Sequence, residues 1–370
     1  MSIRIRDQRI KSIHTLNETI AEPVDSRLDL AGMYMCPALI DMHVHLCHEP
    51  RAHRDVTFSH REPDYLSAYR VVQNLSEALL HGVCLVRDVG GRDIPLQSVS
   101  KDIRGGALTL PEIEMAGVPL CIAGGHGHEF GQTIDGSDFR QLVGKHVGNG
   151  HSWIKVMNGP ELWDVDELRR LCDVAHEHGL KVAVHAFSDD GVWPAVLAHA
   201  DTVEHCLASS EQLAAVAMES GTQFVPTAFA ARTSLAISFA ARLSRREQMY
   251  LEEWLAYLTH SVAVHLRMGL PVLAGTDAGC APCQAQDIID ELLQLESWGF
   301  GPLQILEGAT RHAARVLGRE GDFGEIAVGH YANMIVTNKN PLERLGALSE
   351  PVLILSKGVP VVDRVGANLA

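Results

Sequence analysis

No stretch of the 370-residue chain approaches the roughly 20 uninterrupted apolar residues that a membrane-spanning helix requires, so a helical integral membrane protein is excluded. No cluster of lysine and arginine is present either. The 31 basic residues face 46 acidic ones, a formal net charge of −15, which repels phosphate backbones and excludes nucleic acid as an expected partner. The amino terminus, Met1-Ser-Ile-Arg-Ile-Arg-Asp-Gln-Arg, lacks the apolar core of a secretory signal. Cysteine is sparse: eight residues are spread over the chain instead of packed into a disulfide framework, and a cytoplasmic protein with reduced thiols is expected. Cys280 and Cys283 form a CxxC, but no second pair stands at zinc-ribbon spacing, and the two read as ordinary small loop residues. Internal repeats and low-complexity linkers are absent. Hydrophobic residues at 46% and charged residues at 21% are globular proportions, which exclude disorder as the main state.

What is present is a repeating theme: a short β-branched run, a polar turn, then a stretch with apolar residues at helical spacing. Eight runs qualify as strands: Ala38–His43, Gly82–Arg87, Glu112–Val118, Ser152–Met157, Leu180–His185, Asp201–His205, Thr222–Pro226 and Leu270–Gly275. Among the helical stretches, Asp164–His178 places Val165, Leu168, Leu171, Cys172 and Ala175 on one face, with Asp164 as N-cap and Gly179 as stop signal. Eight strands alternating with helices suit one closed parallel (β/α)8 TIM-like barrel better than two open sheets. The expected division is a barrel over 36–321 and a small β-sandwich domain made from both termini, 1–35 plus 322–370.

The chemistry gathers at the strand ends. Pro37-Ala-Leu-Ile-Asp-Met-His43-Val-His45 closes an apolar run on His-x-His, and in a strand residues i and i+2 point the same way. Two imidazoles on one face begin a coordination sphere for Zn²⁺ or a similar ion. In a chain with 20 histidines such a pair alone carries little weight. The pattern recurs, however. Leu180-Lys-Val-Ala-Val-His185, Asp201-Thr-Val-Glu-His205 and Leu270-Pro-Val-Leu-Ala-Gly-Thr-Asp277 all end on a polar ligand where a parallel barrel collects its active-site side chains. Lys155, in His151-Ser-Trp-Ile-Lys155, stands near the end of another apolar strand, where an unpaired ammonium costs several kcal/mol; it must lose its proton, pair, or be chemically altered.

Taken together, PALIDMHVHL, HGVCLVRDVGG, AGGHGHEFG, SWIKVMNG, GLKVAVHAF, DTVEHC, FVPT, LAGTDAG and GATRHAARVLG resemble the amidohydrolase superfamily, in its imidazolonepropionase-related, prolidase-like branch. The resemblance covers nearly the whole chain. It implies a hydrolase of carbon–nitrogen bonds with two divalent metal ions, zinc by default. His43, His45 and Asp277 would hold the buried ion, and His185 and His205 the more exposed one. Lys155, carboxylated by CO₂, would bridge them. A bridging hydroxide would be the nucleophile, with Asp277 carrying its proton to the leaving group. His126, in Gly124-Gly-His126-Gly-His128, would reach over the site to bind the substrate's carbonyl or carboxylate; the alternative is a solvated loop histidine.

The same reading treats Arg87 and Asp88 as an internal ion pair, His176, His178, His265 and His312 as solvated or capping groups, and Glu204 as pointing away from the site by strand alternation. The prolidase-like members carry a tyrosine shortly after the VPT motif; here Val225-Pro-Thr227-Ala-Phe229-Ala-Ala-Arg232 has none, and Arg232 is the candidate substitute. The leading expectation is cleavage of an amide bond in a dipeptide or N-acyl amino acid, a small-molecule substrate. The rivals are a cyclic amide or a lactone on the same site, and a non-catalytic scaffold. Self-association into a homo-oligomer is allowed by these features, but no residue specifies it.

Overall fold

The valine-rich runs become strands buried on both faces, the signature of a parallel sheet covered by helices. The computed structural model describes residues 1–15, 26–49, 62–134, 138–159, 162–240, 245–280 and 282–365. Segments 16–25 and 366–370 of the expected terminal domain, and 50–61, 135–137, 160–161, 241–244 and 281 of the expected barrel, lie outside them. Seven strands are β1 Leu39–Val44, β2 Val83–Asp88, β3 Glu112–Met115, β4 Trp153–Met157, β5 Lys181–His185, β6 Thr202–Glu204 and β7 Gln223–Val225. Parallel ladders join β1–β2–β3 and β4–β5–β6–β7. Ser152 N donates to Met115 O at 3.1 Å, linking the two groups. The eighth stave, 270–276, forms no regular ladder, yet Leu273 N donates to Phe224 O (3.0 Å) and Met42 N to Ala274 O (2.9 Å), which closes the circuit. The result is the eight-stave barrel expected from the alternation, with each strand within a residue or two of its expected start.

Helices cover the outside. Val165–Glu177 buries Leu168, Leu171, Cys172 and Ala175, and Asp164 caps it by accepting from Asp166 N and Glu167 N at 3.0 and 3.1 Å. Among the described residues, no helix is long and apolar enough to cross a membrane. Against the barrel lies a four-stranded antiparallel sheet ordered 359–363, 353–356, 334–337, 34–37, so both ends of the chain contribute to it. A hairpin, Ser2–Arg6 with Arg9–His14, attaches through Ile10 N to His330 O at 3.0 Å. Ion pairs fasten the barrel to this end of the chain: Arg319 meets Glu112 at 2.7 Å and Glu114 at 2.6 Å, and Lys357 meets Glu112 at 2.6 Å.

Helix Pro302–Gly308 ends against the eighth stave so closely that a Cβ on Gly308 would stand 1.9 Å from Val272 O. Gly308→Ala should therefore lower stability by about 3 kcal/mol or more, because backbone must move to relieve the overlap. Gly144, in helix Phe139–Gly148, has open space around it, and Gly144→Ala should raise stability by about 0.5–1 kcal/mol. Urea unfolding of both variants checks this. Equal effects would mean that the helix does not press on the stave as described.

Candidate metal centre

The barrel mouth is built from strand ends. His43 is fully buried on β1 and His45 follows the strand; the two rings lie edge-on with centroids 5.3 Å apart. Asp277 is carried to them by backbone bonds, Asp277 N to His43 O at 2.9 Å and His45 N to Ala278 O at 2.7 Å. Its Oδ1 stands 3.4 Å from His43 Nε2 and 3.3 Å from His45 Nε2. Ring contacts then run from His43 to His205 (4.7 Å), His205 to His185 (4.6 Å) and His185 to His126 (4.6 Å). Lys155, buried on β4, has His43, His126, His185 and His205 within reach of its charge. All six residues proposed as ligands from the sequence converge, together with His126.

A further ring of contacts aims the imidazoles. His43 Nδ1 meets Glu204 Oε2 at 2.6 Å, His45 Nδ1 meets Gly90 O at 2.9 Å, and His205 Nδ1 meets Thr227 Oγ1 at 2.8 Å. Each contact occupies Nδ1 and turns Nε2 toward the shared space, as outer partners of metal-binding histidines do. Arg87 Nη2 in turn donates to both carboxylate oxygens of Glu204, 2.9 Å to each. This corrects the alternation reading. Glu204 faces the barrel interior, because His205 leaves the strand with φ +68° and so turns inward immediately after an inward-facing neighbour. Arg87 likewise pairs with Glu204 and not with Asp88, whose carboxylate accepts from Leu46 N at 2.8 Å and Gly90 N at 3.1 Å.

Burial, then the charge of neighbours, pushes His43, His185 and His205 well below the ordinary histidine range, so they are held in the neutral form that coordinates metal. Burial pushes Lys155 down to about 8. Among the described residues, four buried atoms here have no hydrogen-bond partner: His43 Nε2, Lys155 Nζ, His185 Nε2 and Asp277 Oδ1. Buried polar atoms left unpaired are costly, and imidazole nitrogens with a carboxylate oxygen are the donors a divalent cation takes. The residues fit such a group.

His126 lies at the exposed rim beside His185, and His128 is exposed. Other placements depart from expectation. Arg232 is exposed and donates to Gln294 Oε1 at 2.9 Å, away from the centre, so it does not replace the absent tyrosine. His265 is fully buried, its Nε2 3.0 Å from Pro271 O, because it packs between Phe224 and Phe300 and not in solvent. Sequence reasoning missed an aromatic wall: Phe187 packs on His185 (4.3 Å) and Trp254 (4.8 Å), and Trp254 Nε1 donates to His205 O at 2.8 Å. Cys280 is not an ordinary loop residue. It lies against His45 and Asp277, three positions after a strand-end ligand, the one signal that pointed to it.

A parallel barrel with histidine, lysine and aspartate side chains meeting at its C-terminal mouth has the layout of a barrel enzyme, whose active site gathers at the strand ends. Residues 34–362 match the amidohydrolase family, and the chain belongs to it: it is a hydrolase acting on carbon–nitrogen bonds, from a family that generally uses divalent metals. It is 25% identical over 337 residues to an uncharacterized protein of Mycobacterium tuberculosis, covering 88% of this chain and 85% of that one. Ochratoxinase of Aspergillus niger is 24% identical over 362 residues, covering 86% and 72%. The solved structure of a Xaa-Pro dipeptidase with methionine in its active site superposes with a TM-score of 0.84 at 21% identity, over 97% of this chain and 94% of that one.

The Lys155 shift has a sign that can be tested in metal-free protein. Below pH 8 the folded chain buries an ammonium; between about 8 and 10.5 the unfolded lysine stays protonated while the folded one does not, so stability rises with pH across that window. Lys155→Met should thus be more stable than the parent at pH 7, by up to about 3 kcal/mol, and the gap should narrow as pH passes from 8 to 10.5. Urea midpoints across that range measure it. A gap that does not change with pH would mean that the ammonium is compensated.

Proposed function

We propose that the protein cleaves the amide bond of a dipeptide or N-acyl amino acid, using two divalent cations, zinc first among candidates. His43, His45 and Asp277 would hold one ion and His185 with His205 the other. A carbamate formed on Lys155 would lie between them, and a low amine pKa favours it because neutral amine is the form that reacts with CO₂. The observation that carries this reading is the chain of buried imidazoles from His43 through His205 to His185, beside which His43 Nε2, Lys155 Nζ, His185 Nε2 and Asp277 Oδ1 have no hydrogen-bond partner. Ions bound there supply Lewis acidity toward a carbonyl and make water more acidic.

The chain's own residues do the rest. Asp277 keeps 15% of its side chain exposed, enough to take a proton from an attacking water and deliver it to the leaving nitrogen. Its partner His43 is locked by Glu204, so the proton's path does not wander. Phe187 and Trp254 close one side against solvent, which strengthens every charge interaction within. His126, at the rim beside His185, binds the substrate's carbonyl or carboxylate. The activity named for ochratoxinase and for the Xaa-Pro dipeptidase suits a barrel of this kind, and supports a small-molecule amide as substrate. Within the chain, 36–321 form the catalytic barrel and 1–35 with 322–370 the supporting β-layer.

A screen of metal-loaded protein against dipeptides, N-acyl amino acids, cyclic amides and lactones tests the substrate class; turnover confined to lactones or cyclic amides would overturn the linear-amide reading. Asp277→Asn should keep the fold by circular dichroism and lose activity by about 10³-fold or more, and near-normal turnover would refute it as proton carrier. Lys155→Ala should lose metal by elemental analysis and regain part of its activity with short-chain carboxylic acids. Full metal content in that variant would remove lysine from the ligand set.

A further inference from the structure

Beside the centre lies a second set of donors that shares His45 with it and adds two residues, His48 and Cys280, that the hydrolytic chemistry does not use. His45, His48 and Cys280 bring one ligating atom each to within 4.8 Å of one another. Both stretches that carry them are held in place. His48 N donates to His45 O at 3.2 Å, and Asn74 Nδ2 donates to Leu46 O and His48 O at 2.8 and 3.1 Å, which fixes the 45–48 turn. On the facing strand end, Cys280 N donates to Asp277 O at 3.1 Å and Cys283 N to Cys280 O at 2.9 Å. Gly279, at φ +100°, is what lets the two turns meet: a Cβ there would stand 2.1 Å from His45 O. His48 is buried, and its ring stacks on that of His45 at 5.5 Å with an interplanar angle of 8°.

His45 has only one nitrogen to offer. Gly90 O accepts and cannot donate, so the 2.9 Å contact keeps a proton on Nδ1, and Nε2 alone is left to bind an ion. That same Nε2 stands 3.3 Å from Asp277 Oδ1 in the His43–His45–Asp277 set. One lone pair cannot serve two ions. We propose that His45, His48 and Cys280 form an alternative site for a thiophilic divalent ion such as Zn²⁺, Cd²⁺ or Co²⁺, and that its occupation excludes His45 from the catalytic set. A thiolate with two imidazoles prefers softer ions than a carboxylate-bearing set does. Binding exchanges the Cys280 thiol proton for a metal–sulfur bond, the proton leaving to solvent. Excess thiophilic metal thereby draws a ligand out of the catalytic centre. This inference rests on the metal reading above only in its exclusion clause; the thiolate site stands on its own geometry.

Cobalt titration of metal-free protein, followed in the near-ultraviolet, tests it without substrate. Wild type should develop a thiolate-to-cobalt charge-transfer band, absent in Cys280→Ser and kept in Cys283→Ser, with His48→Ala shifting its midpoint upward by at least about tenfold. Cadmium should protect Cys280 of the wild type from alkylation, read by peptide mass mapping, which serves if the serine variant does not fold. Asp277→Asn should move the cobalt midpoint downward, because weakening one claim on His45 strengthens the other. A band that persists without Cys280, or bound cobalt with no band and no protection, overturns the site. An unmoved midpoint in Asp277→Asn overturns the exclusion. Failure of the hydrolase reading looks different: the band forms while the substrate screen stays silent.

Discussion

The buried chain Arg87–Glu204–His43 is the contact on which the mouth of this barrel depends. Arg87 is wholly enclosed, with its guanidinium over the Trp153 ring at 4.4 Å, and it spends donors on Met42 O (2.6 Å), Thr202 Oγ1 (2.8 Å) and Glu204 (2.9 Å). It therefore ties β1, β2 and β6 together across the interior. Replacing such a pair by hydrocarbon would cost little stability, since charges taken out of water repay themselves poorly. What hydrocarbon cannot do is hold the ring of His43. The carboxylate at 2.6 Å from Nδ1 fixes the imidazole's orientation and directs Nε2 to the centre. A stabilising substitution of Arg87 and Glu204 together would thus leave a sound barrel with a loosened His43 ring.

The centre is also where the backbone departs from relaxed geometry. His205, Thr227 and Asp277 all adopt left-handed φ values, +68°, +47° and +59°, at the ends of three successive staves. Non-glycine residues so placed cost on the order of 1–3 kcal/mol each. Each turn does a definable job: His205 and Asp277 swing toward His43, and Thr227 presents its hydroxyl to His205 Nδ1. The rest of the barrel, with its dense aliphatic core, supports the strain.

How far this was legible in the chain follows from the same physics. Strands buried on both faces write themselves as runs such as Val83–Asp88 and Trp153–Met157, and a polar residue terminating such a run is conspicuous, so the staves and the strand-end histidines could be read. Strand alternation predicts side-chain direction only while the backbone stays extended. It failed at Glu204 because the next residue does not. The meeting of His48 with Cys280 depends on two turns far apart in sequence and on Gly279 between them, information that no local pattern contains. Arg232 was the natural anion-binding candidate by position, yet helix rotation sends it to Gln294.

That rotation is itself determined. The helix that follows Thr227, Ala228–Ala240, begins on the carboxylate of Glu291, which accepts from Ala228 N at 3.0 Å and Phe229 N at 2.7 Å. Burial pushes this carboxyl up to about 8, partly offset by the two amide donors, so the helix start is anchored by an internal group on Ile288–Ser297 and not by solvent. On the opposite rim His126 stands over His185, ring centroids 4.6 Å apart, on a glycine-rich loop. Phe187 and Trp254 leave the near side apolar. The mouth is thus divided: an aromatic wall of Phe187 and Trp254 on one side, and the His126 imidazole at the rim on the other.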